Sequence, residues 1–442
     1  MFAHFVQKIY NTYVDIIEII NKKKDKKELS AEELQFFVDG VCSGLIKDYQ
    51  TTSLLMAICL NGLSDKETYN LTMSMAKSGK MLDLTDVGDC LDKHSTGGVS
   101  DTTTLVIVPI LASLGVKVAK MSGRSLGFTG GTADKMEVFS GYNTEISTEK
   151  FKELIKQNGA SIISQSSEFA LADKIIYKLR SDSGTVESMG LIASSIMSKK
   201  IACGAKLIIL DCKYGSGAFM KTLADCKKLA RLMVEIGKRA GIKVCAVLSS
   251  MEQPLTKYVG NNFEVYSAIE TLCGKESNLS ALAKYICVQA LLLDGKCGSE
   301  KEAQQLVEDA IKSKKALEKL KQIVSAQGGS TSVIENPNLL LNTNKQFDVF
   351  STSSGKVVKI DTEEIGYIGH DLQKKNGVLL RQDNVGIILN VQLGDTVKVG
   401  QKLATIYFND VDDINEIASK LEKCFKLGTK QVKPKLVDCV MV

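Results

Sequence analysis

The stretch DKHSTGGVSDTTT (residues 92–104) decides the fold, because it forms the turn of a strand–loop–helix unit. Residues 86–91 before it are predicted to form a strand. The apolar run after it is predicted to form a helix, kinked by Pro109. Gly97 and Gly98 let the backbone approach a ligand closely, so that main-chain N–H groups point at it. The stretch therefore predicts an α/β unit with a ligand at the end of a strand.

Short β-branched runs alternate with helical stretches after this unit. The runs lie at residues 117–121, 161–164, 207–211 and 243–248, and the predicted helices include 148–158 and 222–240. This alternation predicts an α/β fold class with a mostly parallel or mixed central sheet.

The two ends of the chain predict two further parts. At the N-terminal end, apolar residues recur at three- and four-residue steps, and Ser30 with Glu33 and Ser64 with Glu67 form capping boxes. These features predict a small helical domain. Near the other end, the sequence NPN at 336–338 marks a boundary, and the short strands and final helix beyond it predict a C-terminal α+β subdomain.

Composition excludes several classes of protein. The 442 residues suffice for two or three domains, and a net charge of +5 is too small to indicate a nucleic-acid-binding protein. The longest apolar runs are shorter than the roughly 20 residues of a membrane span, and the N-terminus lacks the apolar core of a signal peptide. The 12 cysteines are scattered without a CxxC pair, which predicts reduced thiols in the cytoplasm. With three histidines, the sequence predicts no zinc or other metal site.

Two glycine-rich loops carry groups that suit phosphate. The second is KMSGRSLGFTGGTADKME (residues 120–137), and both loops are predicted to follow strands and to lead into helices whose N-terminal ends attract anions. Lys93 precedes its glycines, whereas a Walker lysine follows them, so an NTPase is excluded. The competing interpretation is an ordinary capped glycine turn with solvated charges. The candidate phosphate-binding residues are Lys93, Ser95, Thr104, Lys120, Ser122 and Thr132.

A third cluster suits a planar heterocycle. Ser195 and Lys199 are four residues apart and would share one face of a helix, and Arg180 precedes them. Together they could hold ring carbonyl oxygens and a ring N–H. The competing interpretation is an ordinary amphipathic helix with its lysine and serine in water.

Four motifs in this order resemble the pyrimidine-nucleoside phosphorylase and thymidine phosphorylase family. They are LDKHSTGGVSDTTTL, KMSGRSLGFTGGTADKMEVF, DKIIYKLRSDSGTVES and LIASSIMSKKIACGA. The resemblance implies a pentosyltransferase in which phosphate attacks the anomeric carbon of uridine, thymidine or deoxyuridine, releasing the base and (deoxy)ribose 1-phosphate. It implies that the six residues above bind phosphate, and that Arg180, Ser195 and Lys199 bind the pyrimidine. His94, Arg180 and Lys199 are the implied catalytic residues, with His94 as proton donor.

The resemblance also implies an architecture and an assembly. A discontinuous helical domain would comprise residues 1–77 and 175–205, an α/β domain residues 82–170 and 206–330, and a C-terminal domain residues 346–442. The family is dimeric, so a homodimer is expected, without nucleic-acid or membrane partners. No cofactor is required. Some members bind a monovalent cation near the first loop, but the carboxylate that they use aligns with Ser267, which argues against that ion here.

Three departures from the family pattern keep alternatives open. Ser100, Ser125 and Phe128 replace Gly, Gly and His of the usual motifs. They leave room for a divergent relative that binds nucleoside or phosphate without turnover. A thymidine-restricted enzyme is a second alternative, although Lys120 is typical of members that accept uridine. A phosphoribosyltransferase, which shares the fold, is a third.

Overall fold

The computed structural model describes residues 15–124, 130–165, 168–343, 345–375, 378–379, 384–432 and 435–442. In chain order the helices are α1 Ile16–Lys24, α2 Ala31–Ser43, α3 Asp48–Asn61, α4 Asp65–Lys77, α5 Thr103–Ser113, α6 Thr132–Met136, α7 Thr148–Asn158, α8 Leu171–Ser183, α9 Met189–Ala202, α10 Leu223–Arg239, α11 Asn261–Leu272, α12 Asn278–Asp294, α13 Glu300–Lys312, α14 Lys315–Ala326, α15 Ser332–Glu335, α16 Thr362–Asp371 and α17 Ile414–Lys423, with a 3₁₀ turn at Pro337–Leu341. The strands are β1 Leu91–Ser95, β2 Val118–Ser122, β3 Ala160–Ser164, β4 Leu207–Tyr214, β5 Lys243–Ser250, β6 Tyr258–Val259, β7 Lys345–Phe350, β8 Gly355–Ile360, β9 Lys374–Lys375, β10 Val378–Leu379, β11 Gly386–Leu389, β12 Thr396–Val397, β13 Lys402–Phe408, β14 Phe425–Gly428 and β15 Val437–Met441.

The chain divides into two compact units. The first contains the N-terminal segment up to Asp86, together with Gln165–Lys206 and Lys228–Val244. The second contains Val87–Ser164, Leu207–Lys227 and Cys245–Val442. The chain therefore returns to the first unit twice. Its first returning segment contains α8, which begins at Leu171. The third segment of the first unit was not predicted.

The first unit is a helical bundle whose helices begin at the predicted caps. Ser30 and Glu33 form a reciprocal capping box at α2, and Ser64 and Glu67 form another at α4. The bundle's apolar core joins α1 to α4 with the returning helices α8 and α9, for example where Ile176 belongs to the same buried cluster as the N-terminal helices. The returning segment is therefore held in this unit by burial of its apolar face.

The second unit is built on a six-stranded sheet with the order β15-β5-β4-β1-β2-β3. Strand β1 lies parallel to β2 and to β4, and β2 lies parallel to β3. The prediction of a strand at residues 86–91 is wrong, because the strand runs over Leu91–Ser95. Lys93 and Ser95 are therefore on the strand itself, before the glycine turn. Helix α5 contains Pro109, as predicted.

The C-terminal segment is not self-contained. Strands β7, β11 and β13 form a four-stranded sheet with β6, which comes from the α/β region, and β8, β12 and β14 form a three-stranded sheet. The last strand, β15, pairs antiparallel with β5 at the edge of the six-stranded sheet. The C-terminal segment therefore shares a sheet with the α/β region in two places, which local sequence patterns do not indicate.

Among the described helices, none combines the length and apolarity needed to cross a membrane.

Candidate functional site

Lys93 and Ser95 point into one buried polar network at the end of β1. The Lys93 side chain is fully buried; its Nζ donates to Thr103 Oγ1 at 2.6 Å and lies 3.5 Å from Asp211 Oδ2. The Ser95 hydroxyl donates to the carboxylate of Asp101. Burial lowers the pKa of Lys93, although the nearby carboxylates oppose that shift. His94, between the two residues on β1, is half-buried.

Asp101 lies at the N-terminus of α5, where it also accepts hydrogen bonds from Thr103. Its Oδ1 accepts from the Thr103 amide at 3.1 Å and from the Thr103 hydroxyl at 2.6 Å. Burial alone would raise the pKa of Asp101, but the ammonium groups of Lys213, Lys93 and Lys135 hold it below its ordinary value. The carboxylate is therefore an anion fixed where a helix N-terminus already favours negative charge.

Two charged residues of β4 complete this network. Asp211 and Lys213 are both fully buried. Lys213 Nζ lies 3.0 Å from Asp211 Oδ1 and 3.2 Å from Ser249 Oγ on β5, and Ser249 donates to Asp211 Oδ1 at 2.8 Å. Burial would lower the pKa of Lys213, but the carboxylates of Asp101 and Asp211 raise it above its ordinary value. Lys213 is therefore held as a buried cation.

The second loop supplies a further buried lysine. Lys120 is buried, and its Nζ donates to the carbonyl of Lys93 at 2.6 Å, which ties β2 to β1 beside the network. Ser122 ends β2, and Thr132 begins α6. Lys135, not predicted as a site residue, donates to the Asp101 carbonyl at 2.7 Å.

Lys135 is also paired with Glu264 on α11. The Lys135 Nζ lies 2.7 Å from Glu264 Oε2, and both side chains are buried. Burial raises the pKa of Glu264, although Lys135 opposes the shift. Thr104 is buried in the first turn of α5, next to Thr103. Ser125 and Phe128 lie outside the described residues.

Arg180 is buried at the end of α8 and makes three hydrogen bonds to main-chain carbonyls. Its Nε donates to Thr185 O at 3.3 Å, Nη1 to Leu191 O at 3.2 Å and Nη2 to Val186 O at 2.5 Å. Burial lowers its pKa. The turn between α8 and α9 therefore fixes the plane of the guanidinium group. The N–H groups that do not bond these carbonyls can donate to a ligand.

Ser195 and Lys199 share one face of α9, as their spacing predicted. Lys199 Nζ donates to Ser195 Oγ at 2.9 Å and to Asp173 Oδ2 on α8 at 2.5 Å. Asp173 Oδ1 is buried and accepts no hydrogen bond among the described residues. The Tyr177 ring lies 5.8 Å from Lys199 Nζ and 5.7 Å from Arg180 Cζ. The first unit therefore gathers Arg180, Ser195 and Lys199 around Tyr177 and Asp173.

Sequence reasoning missed the residues that hold the candidate side chains in place. Asp173, Tyr177 and Arg180 follow each other at four- and three-residue steps, which places them on one face of α8. This spacing was visible in DKIIYKLR. The signal for Asp211 and Lys213 was the pair of charges inside the apolar strand LIILDCKY, since isolated charges in a buried strand need partners.

A neutral serine stands at the position that aligns with the cation-binding carboxylate of some family members. Ser267, which takes the place of that carboxylate, is buried and donates to the Glu264 carbonyl at 2.8 Å. Ser100 adopts φ +62° and places its Oγ 2.7 Å from Tyr258 O and 2.6 Å from Thr256 Oγ1. The serine hydroxyl thus already bonds oxygens that face the first loop.

Comparison with known families supports the three-part organisation. Residues 17–79 match the helical bundle domain of a glycosyl transferase family, and residues 87–317 match its α/β domain. Residues 356–428 match the pyrimidine nucleoside phosphorylase C-terminal domain. Among solved structures, the anthranilate phosphoribosyltransferase from Thermus thermophilus aligns with a TM-score of 0.59 at 19% identity, over 70% of this chain and 99% of that chain. At that identity the likeness shows the fold alone.

Curated relatives match nearly the whole chain. Pyrimidine-nucleoside phosphorylase from Staphylococcus haemolyticus is 44% identical over 432 residues, which are 96% of this chain and 99% of the relative. The enzymes of the same name from Staphylococcus epidermidis and Staphylococcus aureus are 45% and 43% identical, with coverage of 96% and 97% of this chain and 99% of each relative. The chain belongs to the pyrimidine-nucleoside phosphorylase family.

Proposed function

We propose that this protein catalyses the phosphorolysis of pyrimidine nucleosides, in which inorganic phosphate attacks the anomeric carbon and the free base leaves. The observation that carries the proposal is the set of two polar clusters at the family's motif positions. One is built on Lys93 and Ser95 and suits an oxyanion. The other is built on Arg180, Ser195 and Lys199 and suits a base with carbonyl oxygens.

On the phosphate side, the protein's task is to hold and orient the nucleophile. The lysine and hydroxyl groups at positions 93, 95, 104, 120, 122 and 132 would bind phosphate oxygens, together with the N-terminus of α5. Orientation of phosphate beside the anomeric carbon converts an encounter between two molecules into a step within one complex. The nucleophile is phosphate itself, so no covalent intermediate with the protein is needed.

On the base side, the task is to stabilise the negative charge that develops on the leaving pyrimidine. Lys199 Nζ carries three N–H bonds; Ser195 and Asp173 accept two of them, so one can be donated to a base carbonyl. Arg180 offers the donors not bonded to main-chain carbonyls, and His94 would donate a proton or hydrogen bond to the base. Each such donor is worth roughly 10²–10³ in rate.

The experiment is phosphate-dependent release of uracil from uridine by the purified protein, followed by chromatography of the base and of ribose 1-phosphate. Release in phosphate and none in a phosphate-free buffer supports the proposal. Thymidine and deoxyuridine run in parallel separate a broad enzyme from a thymidine-restricted one. Binding of nucleoside without release indicates a non-catalytic relative. Magnesium-dependent use of phosphoribosyl diphosphate indicates a phosphoribosyltransferase.

We propose further that the reaction needs no cofactor and no monovalent cation. The support is the chemistry at Ser100 and Ser267, where neutral hydroxyls bond main-chain carbonyls and offer no charge to balance an ion. Equal turnover and equal melting temperature in potassium, sodium and tetramethylammonium salts are expected. A potassium-specific rise in either quantity would contradict this part of the proposal.

We propose that the protein is a homodimer that uses the exposed face of α3. Tyr49, Met56 and Leu60 repeat at seven- and four-residue steps and are 70%, 39% and 76% exposed. A second copy of this chain is the proposed occupant, as in the family. One chain has a mass of 48.0 kDa, so sedimentation should give a particle of twice that mass. Leu60→Glu should shift the protein towards the monomer.

The proposed compartment is the cytoplasm. Each of the twelve cysteines is a free thiol, and eight of them are buried. Burial raises the pKa of several, for example Cys226 and Cys245 to about 12, which suppresses the reactive thiolate. A reducing compartment suits such a set of thiols. Fractionation of the producing cells tests this assignment.

A further inference from the structure

Lys213 is a fully buried cation that the proposed reaction does not use directly. Its Nζ lies 2.9 Å from Asp211 Oδ2, 3.2 Å from Ser249 Oγ and 3.9 Å from Asp101 Oδ2. Burial of an ammonium group is costly unless anions and acceptors surround it. The position of Lys213 therefore needs an explanation beyond packing.

The register of the sheet brings Lys213 to the phosphate side. In the parallel pair of β1 and β4, Ser95 lies opposite Asp211. Because side chains alternate along a strand, Asp211 and Lys213 project to the same face. The contact of Lys93 Nζ with Asp211 Oδ2 shows that Lys93 shares that face.

One hydroxyl connects the charges of this network. Thr103 Oγ1 accepts from Lys93 Nζ at 2.6 Å and lies 2.6 Å from Asp101 Oδ1 and 3.2 Å from Asp211 Oδ2. Lys93 and Lys213 thus face the carboxylates of Asp101 and Asp211. Lys135 also attracts Asp101 but is itself paired with Glu264, so two positive charges balance two negative charges within the network. Without Lys213, both carboxylates would draw on Lys93 as their counterion.

The aliphatic part of the Lys213 side chain also packs close to the glycine turn. A Cβ added at Gly98 would lie 3.2 Å from Lys213 Cδ, and the Lys213 amide donates to Thr96 Oγ1 at 2.8 Å. Removal of the charge alone must therefore be separated from disturbance of the turn. A methionine keeps most of the stem without the ammonium, which makes Lys213→Met the suitable change.

We propose that Lys213 is a positioning residue for phosphate binding: it neutralises Asp211 and Asp101, so that the ammonium group of Lys93 remains available to phosphate. This inference rests on the proposed function, because it assigns Lys93 to phosphate. It predicts that the charge balance of the network, rather than any one side chain, determines the affinity for phosphate.

The experiment compares wild type with Lys213→Met, Asp211→Asn and the double variant that carries both changes. Lys213→Met leaves an unbalanced negative charge beside Lys93, whose Nζ lies 3.5 Å from Asp211 Oδ2. The change should raise KM for phosphate by at least about 10-fold, as expected for one charge at a few ångströms in a protein interior. Its kcat at saturating phosphate should change less. The double variant restores the balance and should return KM to within about 3-fold of wild type. Asp211→Asn alone should bind phosphate no more weakly than wild type.

A merely structural role for Lys213 predicts another order. The double variant would then be at least as impaired as Lys213→Met, since both changes remove contacts, and this result would overturn the inference. If Lys213→Met does not fold, Asp211→Asn decides alone: weaker phosphate binding refutes the proposal, and equal or tighter binding supports it.

A matched control is available in the other unit. Lys23 is also buried and pairs with Glu67 at 2.8 Å. Lys23→Met should lower the melting temperature while leaving KM for phosphate unchanged. A KM rise comparable to that of Lys213→Met would show that loss of any buried lysine impairs the protein in this way, and would refute the inference.

A second readout separates failure of this inference from failure of the proposed function. The rise in melting temperature with inorganic phosphate measures binding without turnover. If wild type releases no uracil, the proposed function fails. The order of phosphate affinities among the four proteins then still tests Lys213, and an order other than the predicted one refutes its role.

Discussion

Lys199→Met should lower both uridine turnover and stability, for two different reasons. The change removes the ammonium group that bonds Ser195 Oγ at 2.9 Å and Asp173 Oδ2 at 2.5 Å. Under the proposed function it also removes a donor to the leaving base. The loss of one such donor predicts a fall of about 10²–10³ in kcat/KM for uridine, which corresponds to about 3–4 kcal/mol. KM for phosphate should change little, because the phosphate-side residues are untouched.

Stability should fall for a different reason. The Asp173 side chain is 6% exposed, and its Oδ1 accepts no hydrogen bond among the described residues, so Lys199→Met leaves a carboxylate with little solvation. Breaking a buried ion pair typically costs about 3–5 kcal/mol. Two features should keep the loss of stability at or below the lower end of this range. Lys199 is 20% exposed, and Arg180 also attracts Asp173 and so partly replaces the lost ammonium group.

The double variant Lys199→Met with Asp173→Asn distinguishes the two effects. It removes the stranded charge, so the melting temperature should recover towards wild type while uridine turnover does not. Lys178→Met, on the exposed side of the same helix as Asp173, is the control and should alter neither quantity. The reasoning is refuted if the double variant regains turnover, or if Lys199→Met phosphorolyses uridine at the wild-type rate.

Three further predictions concern the remaining charges. Lys93→Met should raise KM for phosphate at least about 10-fold and leave the affinity for uridine nearly unchanged; initial rates with each substrate varied in turn test this. Asp101→Asn should lower stability at neutral pH, because the pKa of Asp101 is held below its ordinary value in the folded protein. The stability that the Asp101 carboxylate contributes is present above the unfolded pKa of about 4 and declines as the pH falls further. The difference in melting temperature between wild type and Asp101→Asn should therefore narrow below about pH 4, and a constant difference would contradict this prediction. Arg180→Lys keeps the charge but cannot reproduce three bonds to the carbonyls of residues 185, 186 and 191, so kcat/KM for uridine should fall while KM for phosphate holds.

Local sequence patterns predicted the elements whose boundaries depend on local chemistry. Helix α7 runs over Thr148–Asn158 as predicted, because Ser147 caps its start and Gly159, at φ +80°, ends it. Ser195 and Lys199 share a helix face because a four-residue step is one turn. Each of these features is decided within a few residues, so the sequence contains the necessary information.

Local sequence patterns do not indicate which strands pair when those strands are far apart in the chain. The strand Leu91–Ser95 carries Asp92 and Lys93, charges that are unusual in a buried strand, and so the strand was predicted five residues too early. Its position is set by pairing with β4, whose residues lie more than a hundred positions away. The edge strand β15 is a second case, since nothing local distinguishes Val437–Met441 as the partner of β5.

The misplaced strand also concealed the residues that support the proposed phosphate site. In a predicted loop, Lys93 and Ser95 would face a bound phosphate or solvent. Once both lie on a central parallel strand, their side chains need partners on neighbouring strands, because burial of an ammonium group is costly unless anions or acceptors lie beside it. The only charges in the facing strand LIILDCKY are Asp211 and Lys213, two residues apart and hence on one face. A charge in a strand that is otherwise apolar is therefore evidence for an opposite charge on a neighbouring strand, but the rule needs the pairing of β1 with β4, which only the fold provides.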